Sequence, residues 1–318
     1  MRFVYFGSPD FSAYVLESIS SFCRPDLVVT QVDKPTGRGG EIRSTPVAAT
    51  AEKLKLAVLK VDKRKDLEKK SMKSLLQKCD FALVYAFGFI IPKSLLDLPR
   101  YGFFNIHPSL LPKFRGASPI VYPLGLGYKK TGVSIIKMDE KLDHGPIIFQ
   151  AEACIEPEES RDDLSIKLSK ISAVFLKKYF QQGLKKLKLF EQNHKSATYT
   201  RRLVRQDGYV KLSVLKASQQ DEDYTFSIKD LPDFLREYLQ KYPDEPAGEI
   251  SLYSLFRALH PWPGIWSEVV ISGKRKRLKV ISVDKKNKIK AVQLEGKRST
   301  EISGLQEYLE KSGVKSIY

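Results

Sequence analysis

The stretch Phe104-Asn105-Ile106-His107-Pro108-Ser109-Leu110-Leu111-Pro112 decides how the rest of the chain is read. The apolar run Gly102 to Phe104 gives way to an amide, an imidazole and a proline, as a short buried strand does where it runs out at its carboxyl end. Alternation along a strand carries Asn105 and His107 on the same side. Open α/β sheets bind ligands outside the carboxyl ends of their strands, so both polar groups are expected in a crevice. A neutral amide donor beside a group that titrates near neutrality suits acyl transfer to an amine, where an oxyanion is stabilised and a proton moved. On its own, however, N-x-H-P reads better as a turn-capping asparagine followed by a satisfied loop histidine.

Outward from this stretch the first half alternates strand and helix signals. Arg2 to Phe6 is a strand ended by Gly7-Ser8-Pro9, after which Phe11, Val15, Leu16 and Ile19 recur at helical spacing. Leu27 to Thr30 is a second strand, and Ser44-Thr45 before Pro46 opens a helix that runs through Leu54. Phe81 to Tyr85 and Phe103 to Ile106 are further buried strands. The fold class is therefore α/β: a Rossmann-like, mostly parallel sheet with helices on both faces. Leu164 to Phe180 is an amphipathic helix able to pack on that sheet. The first glycine turn, Gly7-Ser8-Pro9-Asp10, is not G-x-G-x-x-G, so a dinucleotide site is not supported.

Beyond Phe190 the chain becomes polar, basic and aperiodic as far as Gly208, which reads as a surface linker. Asp233 to Gln240 is a helix, followed by short β-rich runs at Ile265–Ile271, Arg277–Val283 and Ile289–Leu294. Such runs separated by turns suggest a small OB-like β-barrel. The expected division is residues 1–190, a linker over 191–208, and a C-terminal β domain over 209–318.

Three widely spaced cysteines (Cys23, Cys79, Cys154) and four unclustered histidines speak against a disulfide framework and against a metal site. The strand-like start argues against a secretory signal, and the longest apolar stretch, Phe81 to Pro92, is too short to span a bilayer. The expected location is cytoplasmic. A net charge of +17 attracts polyanions, and nucleic acid is the usual partner, although scattered lysines would also follow from a general lysine bias.

After Arg115-Gly116 and the strand Thr131 to Lys137 comes Leu142-Asp143-His144-Gly145. N-x-H-x-S-L-L-P, then R-G, then L-D-x-G resembles the signature of the folate-dependent formyltransferases. That resemblance implies a catalytic constellation of Asn105, His107 and Asp143 and a formyl-folate cosubstrate, 10-formyltetrahydrofolate, with no metal. It places the folate against Tyr85, Ala86, Phe87, Gly88, Phe89 and Ile90, with Ser109, Leu110, Leu111 and Pro112 shaping the pocket. The usual A-Y-G order is altered here to Tyr85-Ala86-Phe87-Gly88.

The long loop from Thr30 to Val47 carries three glycines and three basic residues. Such a loop at the carboxyl edge of a sheet can clamp a phosphodiester backbone, or can simply be solvated. T-Q-x-D-x-P-x-G-R-G followed by Pro-Val resembles the tRNA-contacting loop of methionyl-tRNA formyltransferases. Ala197-Thr198-Tyr199-Thr200 is similar to their interdomain linker, and Arg257 to Gly264 to their R-x-x-x-P-W-P-G, where Trp262 is expected to be a packing corner. The implied partner is initiator methionyl-tRNA, touched by Lys34, Arg38 and Arg43 of the loop, with the chain acting as a monomer; Lys274 and Arg275 of a C-terminal hairpin suit phosphate contacts too, or form an ordinary solvated turn. Glu41 interrupts the basic loop tip, and Val210 to Leu255 departs from the family pattern. A nucleotide-sugar N-formyltransferase, sharing the same constellation, is the alternative. A non-catalytic RNA-binding protein on this fold would need the constellation broken, and a formyl-folate hydrolase would have no use for the basic loop.

Overall fold

A computed structural model describes residues 1–36, 41–184, 187–221 and 224–315. Its contacts fall into two compact units.

The first unit comprises residues 1–115, 132–153 and 165–197. Its centre is a seven-stranded sheet in the order Ile147–Cys154, Lys130–Lys137, Phe103–His107, Phe81–Tyr85, Phe3–Gly7, Leu27–Gln31, Val58–Val61. The strands from Phe103–His107 to Val58–Val61 pair in parallel, and Phe103–His107 pairs antiparallel with Lys130–Lys137. Phe3 to Phe6 and Phe81 to Tyr85 are buried at every position, which is why these strands read as continuous apolar runs: a parallel sheet is covered on both faces. Phe81 stacks on Phe3 at 4.9 Å and on Phe104 at 5.4 Å. Phe180 of the Arg161–Gln182 helix closes over Phe3 and Phe81. The helix Pro46–Lys53 starts as its sequence dictates: the Thr45 hydroxyl accepts from the Ala48 amide at 3.1 Å, with proline at the first turn.

The second unit comprises residues 116–131, 154–164 and 198–315 of the described chain. Its β part is a five-stranded sheet in the order Ser299–Glu301, Ile289–Leu294, Lys274–Val283, Trp266–Ile271, Val314–Lys315, antiparallel throughout. Its helices include Val121–Gly125, Leu212–Gln220, Asp233–Lys241, Leu252–Leu259 and Leu305–Lys311. Tyr122 packs edge-on against Phe234 and Tyr238 at 5.1 Å. A Cβ on Gly127 would come within 2.4 Å of the Glu249 carbonyl oxygen, so that approach requires glycine.

Three expectations are corrected. The units are not consecutive, because 116–131 and 154–164 pack with residues after 198 rather than with the first 190. The run 191–208 is not a solvated linker: Gln192 is buried, and Asp207, only 1% exposed, is gripped by both terminal nitrogens of Arg201 at 2.7 and 2.8 Å. Trp262 is half exposed, whereas Trp266 is the buried indole, donating to the Arg205 carbonyl at 3.0 Å under the Arg277 guanidinium at 4.4 Å. Among the described residues no helix is long and apolar enough to cross a membrane.

Candidate active site

Asn105 and His107 sit on a strand whose other side chains, Phe103, Phe104 and Ile106, are buried. A one-residue slip would carry Asn105 and His107 to the opposite face, so the register holds the two polar groups in place. Asp143 meets them from the turn after Lys130–Lys137. Its Oδ1 accepts from Asn105 Nδ2 at 3.3 Å, and its Oδ2 lies 3.6 Å from His107 Nδ1. The imidazole and carboxylate side chains are 5% and 8% exposed. The three predicted catalytic side chains therefore converge, although Asp143 is 38 residues from Asn105 in sequence.

Partners define the proton positions. His107 Nε2 lies 3.0 Å from the Phe114 carbonyl oxygen, which can only accept, so Nε2 carries hydrogen and Nδ1 is the nitrogen that faces Asp143. Asn105 Nδ2 directs one N–H to Asp143 and keeps a second.

The turn bearing Asp143 is built to a tight tolerance. Asp143 adopts φ +49°, the left-handed region. Two residues on, a Cβ at Gly145 would lie 1.9 Å from the Lys137 carbonyl oxygen. Gln192 clips this turn from outside: its Nε2 donates to the carbonyls of Asp143 and Gly145 at 3.0 and 2.7 Å. Its Oε1 in turn accepts from Arg115 Nε and Nη2 at 3.2 and 2.6 Å. Arg115, 1% exposed, also donates to His194 Nδ1 at 2.9 Å, and His194 stacks on His144 with ring centroids 3.9 Å apart. His144 is tied through Nδ1 to Asp139 at 2.6 Å. Partial desolvation, then the neighbouring His144 and Arg115, holds the exposed His194 imidazole below its ordinary pKa.

The segment expected against the folate divides by depth. The Tyr85 and Phe87 side chains are core: Tyr85 meets the Ser169 hydroxyl at 3.2 Å and Phe87 packs on Phe6. Ala86 (φ +50°) and Gly88 (φ +89°) present backbone instead, Phe89 is half-buried and Ile90 is 69% exposed. Gln31 Nε2 and the Ser8 hydroxyl hold the Phe87 carbonyl at 2.9 and 3.2 Å. Ser109 is fully buried and donates to the Lys113 carbonyl at 2.7 Å, while Ser134 and Gln150 brace Leu111 through its N–H and C=O. Leu110, half-buried beside Gly132, and Pro112 complete that wall.

Of the basic residues, Lys34 is exposed and donates to Gln31 at 2.7 Å. Arg43 pairs with Glu41 at 2.8 Å, so the acidic intruder in the loop neutralises its own basic neighbour. Arg38 lies outside the described residues. Lys274 and Arg275 are exposed on the hairpin after Ile271, with Arg275 3.7 Å from Glu268.

Arg115 and Gln192 are the site residues that the sequence reading did not single out. A signal existed for Arg115, the arginine of the R-G pair. Gln192 had none, since it lies in a run without periodicity.

Residues 1–178 match the family model described as Formyl transferase. A methionyl-tRNA formyltransferase of Thermotoga maritima is 40% identical over 218 residues, 67% of this chain and 68% of that protein. One from a Geobacillus strain is 36% identical over 265 residues, 83% and 73% of the two chains. Among solved structures, a 4-N formyltransferase of Francisella tularensis matches with a TM-score of 0.55 at 17% identity over 86% of this chain and 94% of its own. An N-formyltransferase of Helicobacter canadensis, in complex with folinic acid and dTDP-3-aminofucose, matches with a TM-score of 0.52 at 16% identity over 89% of each chain.

Proposed function

The chain belongs to the formyl transferase family, and we propose that it moves the formyl group of 10-formyltetrahydrofolate onto the α-amine of initiator methionyl-tRNA, in the cytoplasm, as a monomer. The observation that carries the chemistry is the convergence of Asn105, His107 and Asp143 at one strand end, with 3.3 and 3.6 Å separations. The relatives at 36–40% identity support the choice of acceptor.

The amine attacks the formyl carbon, forming a C–N bond and a tetrahedral oxyanion. The second N–H of Asn105 Nδ2 is free to donate to that oxygen, a contact worth about 3–4 kcal/mol in comparable sites. His107 Nδ1 is the nitrogen able to take the proton released by the attacking amine, with the Asp143 carboxylate beside it to stabilise the imidazolium. Its Nε2–H stays tied to Phe114 throughout, so the ring does not turn. The intermediate collapses when the C–N bond to the folate breaks and the proton passes to the departing folate nitrogen. The backbone of Ala86 and Gly88, with Ile90 and the Ser109–Pro112 wall, would receive the folate. Lys34, Arg38, Arg43, Lys274 and Arg275 would meet phosphates.

The nucleotide-sugar alternative rests on a fold shared at 16–17% identity, which carries no information on the acceptor. Formyl transfer from labelled 10-formyltetrahydrofolate to charged initiator tRNA, run beside a nucleotide-linked amino sugar, separates the two. Efficient labelling of the sugar with none of the tRNA would replace the reading.

A further inference from the structure

We propose that Arg115 and Gln192 are positioning residues for Asp143, acting through the backbone of its turn. The inference rests on the proposed formyl transfer only for its kinetic readout.

Four observations bear on it. Asp143 is held at φ +49°, a conformation that costs a non-glycine residue about 1 kcal/mol or more and persists only when its surroundings impose it. Gln192 donates to two carbonyls of the same turn, on either side of His144, at 3.0 and 2.7 Å. The Gln192 amide can face only one way, because Arg115 offers donors alone, so Oε1 points to the guanidinium and Nε2 to the turn. Finally, a 1% exposed guanidinium is a costly group to bury, and here it is spread over Gln192 and His194. The effect of these contacts is on where the carboxylate points: toward Asn105 Nδ2 and His107 Nδ1.

Gln192→Glu is the informative substitution. It keeps the shape and the partnership with Arg115, but sets a carboxylate oxygen against the Asp143 and Gly145 carbonyls where an N–H₂ stood. Single-turnover formylation should fall about tenfold or more, with the KM for each substrate moved by less than about twofold. The same substitution placed on Asp143→Asn should cost less than about twofold, because a residue acting only through Asp143 has nothing left to position. Arg115→Lys, which cannot grip Oε1 through two nitrogens, should give a smaller loss with the same dependence on Asp143. Equal losses in both backgrounds, or an unchanged rate in folded Gln192→Glu, would overturn the proposal. Should the wild-type chain formylate neither acceptor, the reaction assigned above is wrong, and the positioning role is then read without substrate. In ¹⁵N-histidine spectra of the full chain, Gln192→Glu should move the His107 ring resonances, and Asp143→Asn should abolish that response. Unmoved His107 resonances would refute the positioning role.

Discussion

The turn that carries Asp143 and the basic surfaces at Lys34–Arg43 and Lys274–Arg275 use charge in opposite ways. Around Asp143 the innermost ionic side chains have named partners and little solvent: His107 and Asp143 are 5% and 8% exposed, and Arg115 1%. On the basic surfaces the groups are open to water, Arg43 at 69% and Arg275 at 77%, and both are partnered by local carboxylates. An enclosed carboxylate interacts through a low effective dielectric, so a displacement of one ångström matters. An exposed lysine is screened within about 10 Å and can be lost at small cost. The proposed chemistry therefore rests on a few side chains, whereas the proposed attraction for a polyanion is distributed.

The largest test of that contrast is Asp143→Asn. It leaves shape and hydrogen bonding to Asn105 nearly intact but removes the charge beside His107, and turnover should fall by about two to four orders of magnitude with an unchanged thermal melt. If Asn105, His107 and Asp143 serve one transition state, as proposed, His107→Ala combined with it should add much less than its separate loss. Multiplicative losses in single-turnover assays would show that the groups act independently.

Arg201 and Asp207 supply a comparison at intermediate size: a buried carboxylate held by two guanidinium nitrogens and by the Val204 amide at 2.6 Å, outside the candidate constellation. Arg201→Ala would leave Asp207 buried with its guanidinium partner gone. Urea denaturation should report a loss of about 2 kcal/mol, less than for a fully enclosed pair because Arg201 is itself partly exposed. The rate per folded molecule should be unchanged. A turnover defect at full stability would mean that enclosure alone does not separate structural from catalytic charge.

Smaller still is the effect expected on the distributed side. Lys274→Ala and Arg275→Ala should each weaken tRNA binding and lower the slope of log K against log salt by about one if the residue contacts a phosphate. Saturating tRNA should restore turnover. A reduced rate at saturation would place the hairpin among the groups that orient the acceptor.

The smallest effect concerns pH. The folded His194, though exposed, is held below its ordinary pKa, through partial desolvation first and then His144 and Arg115, with Lys141 adding to the shift and Glu191 opposing it. Below the ordinary histidine pKa of about 6.5 the unfolded chain therefore binds more protons than the folded one. Stability is complete above that value and declines as pH falls toward the lower folded value. His260 contributes with the same sign. His194→Gln keeps an acceptor for Arg115 but cannot titrate, so its melting temperature should change less than that of the wild type between about pH 7 and about pH 5.5. Identical slopes would remove His194 from the acid dependence.

The contrast between local and distributed information also governs what the sequence could tell. Phe81–Tyr85 and Ile289–Leu294 were readable to the residue: Asp80 marks the start of the first, and Lys288 and Glu295 flank the alternating second. Val58–Val61 escaped notice because it is short and only half-buried. Leu252–Leu259 is strongly amphipathic, yet its place depends on Val121–Gly125, a helix of five residues that no periodicity reveals. Asn105, His107 and Asp143 stood out as polar groups at strand ends and in a spaced motif. The brace did not, because a glutamine is recognisable as a clip only once the two carbonyls it holds are known. Trp262 misled for a related reason: flanking prolines fix its backbone and say nothing about which indole fills the core.

The interleaving of the two units has a consequence for how the protein is made. Tyr128 emerges from the ribosome 117 residues before Glu245, the carboxylate its hydroxyl donates to, and Tyr122 precedes its aromatic partners by a similar stretch. Residues 116–131 must therefore wait, apolar and uncovered, while most of the chain that will shelter them is still untranslated. A nascent chain stalled near residue 190 would hold a finished sheet beside an exposed Val121–Gly125 segment, the kind of surface that chaperones bind and that aggregates when they do not.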